Sequence, residues 1–156
     1  LRRAYRAMQP KLVAAWERRE TMLPVKTPYE LLIMASIVEK ETGSPADRPQ
    51  VAAVFVNRLR RQMPLQTDPT VIYGLGERFD GNLRKVDLLT DTPWNTYTRV
   101  GLPPTPIAMP GLASLQAAAN PPPSDMLYFV ARGDGSSQFS ATLDEHNSAV
   151  ARYQKR

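Results

Sequence analysis

One helix limits what this chain can fold into more than any other segment. In the stretch TPYELLIMASIVEKETG, residues 27–43, positions 31–38 are apolar except for Ser36. A helix with no polar stripe has no face suited to water, so it must be buried nearly all round. The 156-residue chain is long enough to build a core around it.

The sequence also predicts where this helix begins and ends. Thr27 is a good capping residue, Pro28 suits the first helical position, and Glu30 completes a capping box. We expect the helix to run to about Thr42 and to stop at Gly43, since glycine favours a helix end.

The other elements are shorter and less regular. A lead-in helix lies within residues 1–20; Pro10 interrupts it, and we expect it to pack through its aromatics. Next come a helix over 47–62, a short helix from Asp68, an irregular stretch over 77–110 and an alanine-rich helix over 111–119. The chain ends with a hairpin of 126–131 and 137–141 and a C-terminal helix that the capping box at 142–145 opens.

These elements predict an α+β fold: a helix-rich domain around a buried central helix, with a small antiparallel β-hairpin or sheet. Of the 15 prolines, most lie between 93 and 123, which predicts a long Pro-rich loop on one rim. We divide the chain into residues 1–26, a lead-in helix or the end of a linker, and residues 27–156, the main domain.

The composition excludes several kinds of site. With no cysteine and the single His146, the chain has no thiol nucleophile, no Cys-ligated zinc site and no His-rich metal site, so we expect neither metal nor cofactor. The formal charge of +5 tolerates anionic partners, but scattered arginines without interleaved aromatics argue against nucleic acid. No stretch approaches the roughly 20 apolar residues that a bilayer crossing needs.

The charged end of the central helix is the first candidate site. Glu39 shares a helix face with Leu32, Ala35 and Ser36, whereas Glu41 lies about 200° away and can point elsewhere. A carboxyl against apolar side chains resists ionisation, and a raised pKa suits a general acid. The structural alternative is that Glu39 emerges into solvent and pairs with a cation.

Two polar clusters are candidates for substrate binding. The segment 66–70 presents Gln66, Thr67 and Asp68, with Tyr73 one turn later; the alternative is that Thr67 or Asp68 only caps a helix.

The second cluster contains Asn95, Thr96 and Tyr97 beside Trp94, a mixture of aromatics, amides and hydroxyls that suits a saccharide; the alternative is a packed loop. His146 is a further candidate, although a lone histidine more often makes a structural hydrogen bond.

Eight ordered blocks resemble a known family. They are ASIVEKET at 35–42, VFVNRL at 54–59, LQTDPTVIYG at 65–74, NTYT at 95–98, GLPP at 101–104, IAMPG at 107–111, LYFVA at 127–131 and EHN at 145–147. Together they closely resemble the catalytic domain of the endolytic murein transglycosylases (MltG, or YceG-like, proteins) over roughly residues 28–155. Many relatives carry a small or amide residue in place of Thr105 and Met109, so the sugar subsite beside this loop is expected to differ in shape.

The resemblance implies an activity. Members cleave peptidoglycan strands internally, between N-acetylmuramic acid and N-acetylglucosamine, and leave a 1,6-anhydro-muramyl end. The family's catalytic glutamate lies in the SIVEKET block, whose first glutamate is Glu39. Members usually act at the periplasmic face of the inner membrane, near cell-wall synthases and behind an N-terminal membrane anchor, so residues 27–156 would be the transglycosylase catalytic domain and any anchor would be missing from this sequence.

This chemistry needs only one carboxyl group. Ordinary glycosidases use two, whereas in a lytic transglycosylase the substrate supplies its own nucleophile. We therefore expect Glu39 to act as acid and then as base, in a groove bordered by the 65–70 turn and the Pro-rich loop. A lysozyme-like muramidase with Asp68 as second carboxylate and a peptidoglycan-binding scaffold without activity are the two rival readings.

Overall fold

A computed structural model of the protein describes residues 2–42 and 44–154. Within them the chain forms α1 (Arg2–Glu17), α2 (Pro28–Glu41), α3 (Arg48–Arg60), α4 (Asp68–Leu75), α5 (Lys85–Leu89), α6 (Leu112–Ala119), β1 (Tyr128–Ala131), β2 (Ser137–Ser140) and α7 (Leu143–Tyr153). Short 3₁₀ turns at Pro45–Asp47 and Gly76–Arg78 precede α3 and follow α4. The predicted α+β class is confirmed, with β1 and β2 pairing as an antiparallel sheet. In this part of the chain, none of the helices has the length and hydropathy that a bilayer crossing requires.

The central helix α2 is buried as predicted, since every residue from Leu31 to Val38 is buried. The hydroxyl of Thr27 accepts a hydrogen bond from Glu30 N at 3.1 Å, which satisfies one of the free donors at the helix start. The Glu30 carboxylate accepts from Lys26 N rather than from the capping residue itself, so the box is shifted by one position. Gly43, the predicted stop, lies outside the described residues.

The core has two parts that meet at α2. On one side α1 and α6 pack against it through a cluster that contains Met8, Leu12, Leu31, Met34 and Leu115. On the other side α3 and the loops after it form a cluster that contains Ile37, Val38, Phe55, Leu65 and Ile107. Because each such side chain stabilises the fold by about 1.5–3 kcal/mol when fully buried, α2 holds the two halves together.

The lead-in helix differs from the prediction in two ways. It continues through Pro10 without a break, and of its aromatics only the partly buried Trp16 packs against the core, beside Met8, Leu12 and Ala15, whereas Tyr5 is 54% exposed. Proline removes a backbone hydrogen bond inside a helix, but tertiary packing of an apolar face supplies most helical stability in proteins. The buried face of α1 therefore outweighs the local preference for an interruption.

The hairpin lies between α3 and α7. Phe129 is opposite Phe139 in the register, and its ring meets Phe55 of α3 edge-on at 5.9 Å. On the other face, Tyr128 stacks on His146 of α7 with ring centroids 5.0 Å apart. The hairpin predicted from the sequence is confirmed, and these contacts fix β1 beside the C-terminal half of α3.

The Pro-rich loop is tied to α2 by a buried polar side chain. Ser36 donates its hydroxyl to Ile33 O at 2.6 Å and accepts from Ile107 N at 3.1 Å. Farther along the loop, Trp94 Nε1 donates to Thr105 Oγ1 at 3.0 Å. The one polar residue within the apolar run therefore holds the loop against the core.

Candidate active site

A cleft of about 770 Å³ runs along the outside of β1. One wall is the segment Leu65–Asp68 together with Tyr97, and the opposite wall is the hairpin with α7. Glu41, at the last turn of α2, lies in the first wall. The cleft brings together the 65–68 turn, Tyr97 of the NTYT segment and the charged C-terminal end of α2.

Glu41 is the carboxyl group whose environment suits proton transfer. Thr67 Oγ1 donates to its Oε1 at 2.8 Å, and no other described residue donates to its Oε2. Burial raises the pKa of Glu41 to about 6, helped by the negative charge of Asp68 and opposed by the Thr67 hydrogen bond. A carboxyl with such a pKa is protonated in a useful fraction of molecules near neutral pH.

Thr67 is free for this contact because it does not cap α4. It occupies the capping position, but its side chain makes no capping hydrogen bond, and Thr70 Oγ1 donates instead to Thr67 O at 2.8 Å. The capping alternative for Thr67 is therefore wrong, and its hydroxyl serves Glu41.

Gln66, Asp68 and Tyr97 line the cleft as predicted for binding residues. Tyr97 donates its hydroxyl to Asp68 Oδ1. Burial, then the contact with Asp68, raises the pKa of Tyr97, so the phenol stays protonated. Gln66 adopts φ +52, a left-handed conformation that costs a non-glycine residue free energy and that is common at functional sites.

Glu39 lies outside this cleft, and its catalytic role stays a prediction. Its Oε1 accepts from Gly111 N at 2.7 Å and from Ser114 Oγ at 3.1 Å, at the start of α6. It is not among the described residues that line the cleft. The apolar helix face that Glu39 continues packs against α6, and its carboxylate satisfies one of the backbone donors that a helix N-terminus leaves free. Glu41, about 200° around α2, is left for the cleft.

Asn95 and Thr96 are buried, at 1% and 2% exposure, and they do not line this cleft. Asn95 Nδ2 donates to Leu88 O and Thr90 O, and its Oδ1 accepts from Tyr97 N at 2.8 Å. Thr96 Oγ1 accepts from Thr67 N at 3.0 Å. These side chains shape the loop that presents Thr67 and Tyr97.

Tyr73 does not line the cleft either. Its ring, 46% exposed, packs against Trp94 at a tilt, with centroids 5.9 Å apart. Residue Gly74 makes this approach possible, because a Cβ there would come within 2.9 Å of Thr92 Oγ1. Tyr73 therefore lies outside this cleft, and its role in substrate binding stays a prediction.

At the far end of the cleft, the candidate His146 belongs to a column of side chains whose other members, Arg58 and Tyr128, were not predicted as site residues. The Arg58 guanidinium lies 4.9 Å from the centre of the Tyr128 ring, whose other face stacks on His146. Burial, then Arg58, lowers the pKa of His146, so the imidazole is neutral at pH 7. The LYFVA and EHN blocks were visible in the sequence, but nothing in their spacing indicated that they meet.

A second groove, of about 840 Å³, lies between α1, α6 and the start of α3. Leu112, Ala113 and Pro49 are among its lining residues, and its lining contains no carboxyl group. Groups of three or more carboxylate or imidazole side chains arranged to hold a metal ion do not occur in residues 2–42 and 44–154. The first cleft is thus the better candidate for acid–base chemistry.

Comparison with known proteins gives the family. The model of the YceG-like family matches residues 1–152. A protein of Bacillus subtilis named endolytic murein transglycosylase is 50% identical over 125 residues, which cover 80% of this chain and 34% of the relative. A protein of the same name from Streptococcus pneumoniae is 38% identical over 133 residues, covering 81% of this chain and 24% of the relative.

A solved structure supports the same assignment. A YceG-like protein of Listeria monocytogenes superposes with a TM-score of 0.73 and 42% identity, over 91% of this chain and 42% of that one. This sequence therefore spans less than half of each of these relatives. From its matching blocks, its fold and these likenesses, the chain belongs to the YceG-like family.

Proposed function

We propose that this domain is an endolytic lytic transglycosylase that cleaves peptidoglycan strands between N-acetylmuramic acid and N-acetylglucosamine, with Glu41 as its acid and base. The observation that carries the proposal is the position of Glu41: a carboxyl group with a pKa raised to about 6, in the wall of a long cleft. The names of the curated relatives support the same reaction. In this proposal Glu41 takes the role that the sequence analysis gave to Glu39.

The reaction follows from one carboxyl group. Protonated Glu41 gives its proton to the glycosidic oxygen, and the bond from muramic C1 to that oxygen breaks with its electron pair on oxygen. The resulting carboxylate takes the proton of the C6 hydroxyl of the same sugar, whose oxygen then bonds to C1. The product is a 1,6-anhydro-muramyl end, and no water is consumed.

The neighbours of Glu41 support this sequence of steps. Thr67 holds Oε1, which leaves Oε2 available to the substrate. Asp68 Oδ1 accepts the Tyr97 hydroxyl, and this contact holds the Tyr97 ring in the same wall of the cleft. Gln66, with its exposed amide at the cleft, is a donor and acceptor for sugar hydroxyl or acetamido groups.

The test is the same substitution at two positions of α2. Purified glycan strands are digested, and the products are weighed by mass spectrometry. Glu41→Gln is expected to lose roughly 10²–10⁴-fold in rate, the usual contribution of a general acid. Glu39→Gln, its matched control, keeps an oxygen for Gly111 N and is expected to retain most activity.

Four outcomes contradict the proposal. Full activity of Glu41→Gln would exclude its role, and loss of activity in Glu39→Gln with an unchanged melting temperature would return that role to Glu39. Products heavier by one water than anhydro ends would indicate a muramidase that uses Asp68. A parent domain that binds strands and cuts none would be a scaffold.

The same proposal places the activity in the cell wall, at the periplasmic face of the bacterial inner membrane. There the cut would terminate the elongation of nascent strands made by cell-wall synthases. The support for this place of action is the murein substrate in the names of the relatives. Release of labelled nascent strands from synthase reactions, with parent and Glu41→Gln compared, tests it.

A further inference from the structure

The edge of β1 that faces away from β2 is open. Arg132 N donates to Ser136 O at 2.9 Å, and this bonded pair sets the alternation of the antiparallel ladder. By that alternation the backbone N–H and C=O groups of Phe129 and Ala131 point away from β2. Among the described residues no group forms a hydrogen bond with them.

This open edge borders the cleft that contains Glu41. Residues 127–131 all line it, together with the hairpin turn. Four residues of strand span about 13 Å, which matches a peptide of about four residues in extended conformation. The cleft therefore offers an unpaired strand edge within the same space as the proposed acid.

The charges of this end of the cleft suit an acidic peptide. Arg58 lies under the Tyr128 ring, and Arg132 follows the last residue of β1. The carboxyl groups in the lining, Glu41 and Asp68, belong to the opposite wall. An extended peptide here would meet the backbone groups of β1, with the positive charge of the buried Arg58 behind the Tyr128 ring and the carboxylates of Glu41 and Asp68 on the opposite wall.

We infer that the open edge of β1 binds the stem peptide of the substrate strand as an added strand, through the backbone groups of Phe129 and Ala131. The inference rests on the proposed function, since a peptidoglycan strand carries this peptide on the same muramic sugar whose C1 meets Glu41. Pairing through the backbone accepts many side chains, so peptides of different composition bind in the same way.

The first test removes one backbone donor. Ala131→Pro deletes an N–H that β2 does not use, and proline is tolerated at such edge positions. The kcat/KM for peptide-bearing strands is expected to fall about tenfold relative to the kcat/KM for strands stripped of peptide by an amidase. Ala131→Ser keeps the N–H, so its ratio of kcat/KM values for peptide-bearing and peptide-free strands is expected to equal that of the parent. Equal losses on both substrates, or no loss on either, would overturn the inference.

The second test needs no cleavage. Amide exchange is followed by NMR in Glu41→Gln with a muramyl disaccharide that carries the peptide and with the same disaccharide without it. Exchange at Phe129 and Ala131 is expected to slow at least fivefold with the peptide-bearing compound alone. The inference would be overturned if exchange slowed with both compounds or with neither. It would also be overturned if exchange slowed with protein concentration in the absence of ligand, which would indicate a second copy of the chain at this edge. This experiment measures binding and not cleavage, so the inference about β1 can fail while the rate test of Glu41 succeeds. The rate test of Glu41 can likewise fail while binding at β1 is observed.

Discussion

Glu39 and Glu41 are separated by one residue, yet their carboxyl groups meet opposite surroundings. Glu39 accepts from the backbone at the start of α6, and Glu41 accepts from a single hydroxyl at the edge of a cleft. Desolvation disfavours the charged form of a carboxyl, and this is the main cause of the raised pKa of Glu41. At the level of single residues, the partner of each carboxyl therefore decides whether it serves structure or proton transfer.

The raised pKa of Glu41 makes stability depend on pH. Below pH 4.5 the carboxyl is protonated in both the folded and the unfolded state and contributes nothing. Above the folded pKa of about 6 it is charged in both, and the folded state is penalised by about 2 kcal/mol. The stability of the parent relative to Glu41→Gln is therefore expected to fall by that amount between pH 4 and pH 7.5.

Urea unfolding of both proteins at these two pH values measures the difference. Glu39→Gln serves as the control for a charge removed from the same helix. If the difference in the free energy of unfolding between parent and Glu41→Gln stays constant with pH, the raised pKa of Glu41 is contradicted.

Two neighbours of Glu41 are expected to move the pH profile of activity in opposite directions. Asp68→Asn removes a negative charge that raises the pKa of Glu41, so the fall of kcat/KM on the alkaline side moves to lower pH. Thr67→Val removes a hydrogen bond that lowers this pKa, so the same fall moves to higher pH. Profiles of kcat/KM from pH 4 to 9 measure both shifts, and a shift of both variants in one direction would exclude Glu41 as the titrating acid.

Among the elements, α3 holds both walls of the cleft in position. Arg58 Nε donates to Leu127 O at 2.6 Å, just before β1, and Nη1 donates to Pro64 O at 2.7 Å, just before the 65–68 turn. Asn57 adds two hydrogen bonds, to Ser124 O and Met126 O. One turn of helix thus fixes the distance between the strand edge and the turn that carries Thr67.

Replacing Arg58 is expected to weaken this connection measurably. Arg58→Met leaves two carbonyl oxygens without donors, and the free energy of unfolding is expected to fall by about 2–4 kcal/mol. Arg60→Met is the matched control on the same helix, because Arg60 makes an exposed ion pair with Glu20 that is worth under about 1 kcal/mol. Equal losses in urea unfolding of the two variants would mean that Arg58 does not hold the walls.

Most elements could be predicted from local signals, and the exceptions have physical causes. The capping box of Thr142 and Glu145 is present, with hydrogen bonds in both directions, because it depends only on residues three apart. The break predicted at Pro10 is absent because a buried face compensates for it. The short helix α5 was missed in the irregular stretch, since five residues are too few for a periodic pattern.

For the whole molecule, the site could be predicted as a set of segments but not as a set of side chains. The 65–70 turn, Tyr97 and the end of α2 do meet, as their order and chemistry suggested. Which of two glutamates faces the cleft depends on where α6 packs, and α6 is about 70 residues away along the chain. The burial of Asn95 likewise depends on a loop whose path no local pattern encodes.

The cleft at Glu41 and the groove between α1 and α6 are alternative places for a glycan strand, and stability and amide exchange distinguish them. Glu41→Gln, saturated with uncut strand fragments at about 100 times the dissociation constant, gains about 2.7 kcal/mol of stability. For a domain of this size that is expected to raise the melting temperature by about 5–10 °C. Amide exchange is expected to slow in the segments 64–68, 95–98 and 127–131, because these surround the cleft with Glu41. Slowing confined to α1 and α6, around Leu112, would instead place the strand in the apolar groove and leave Glu41 without a substrate.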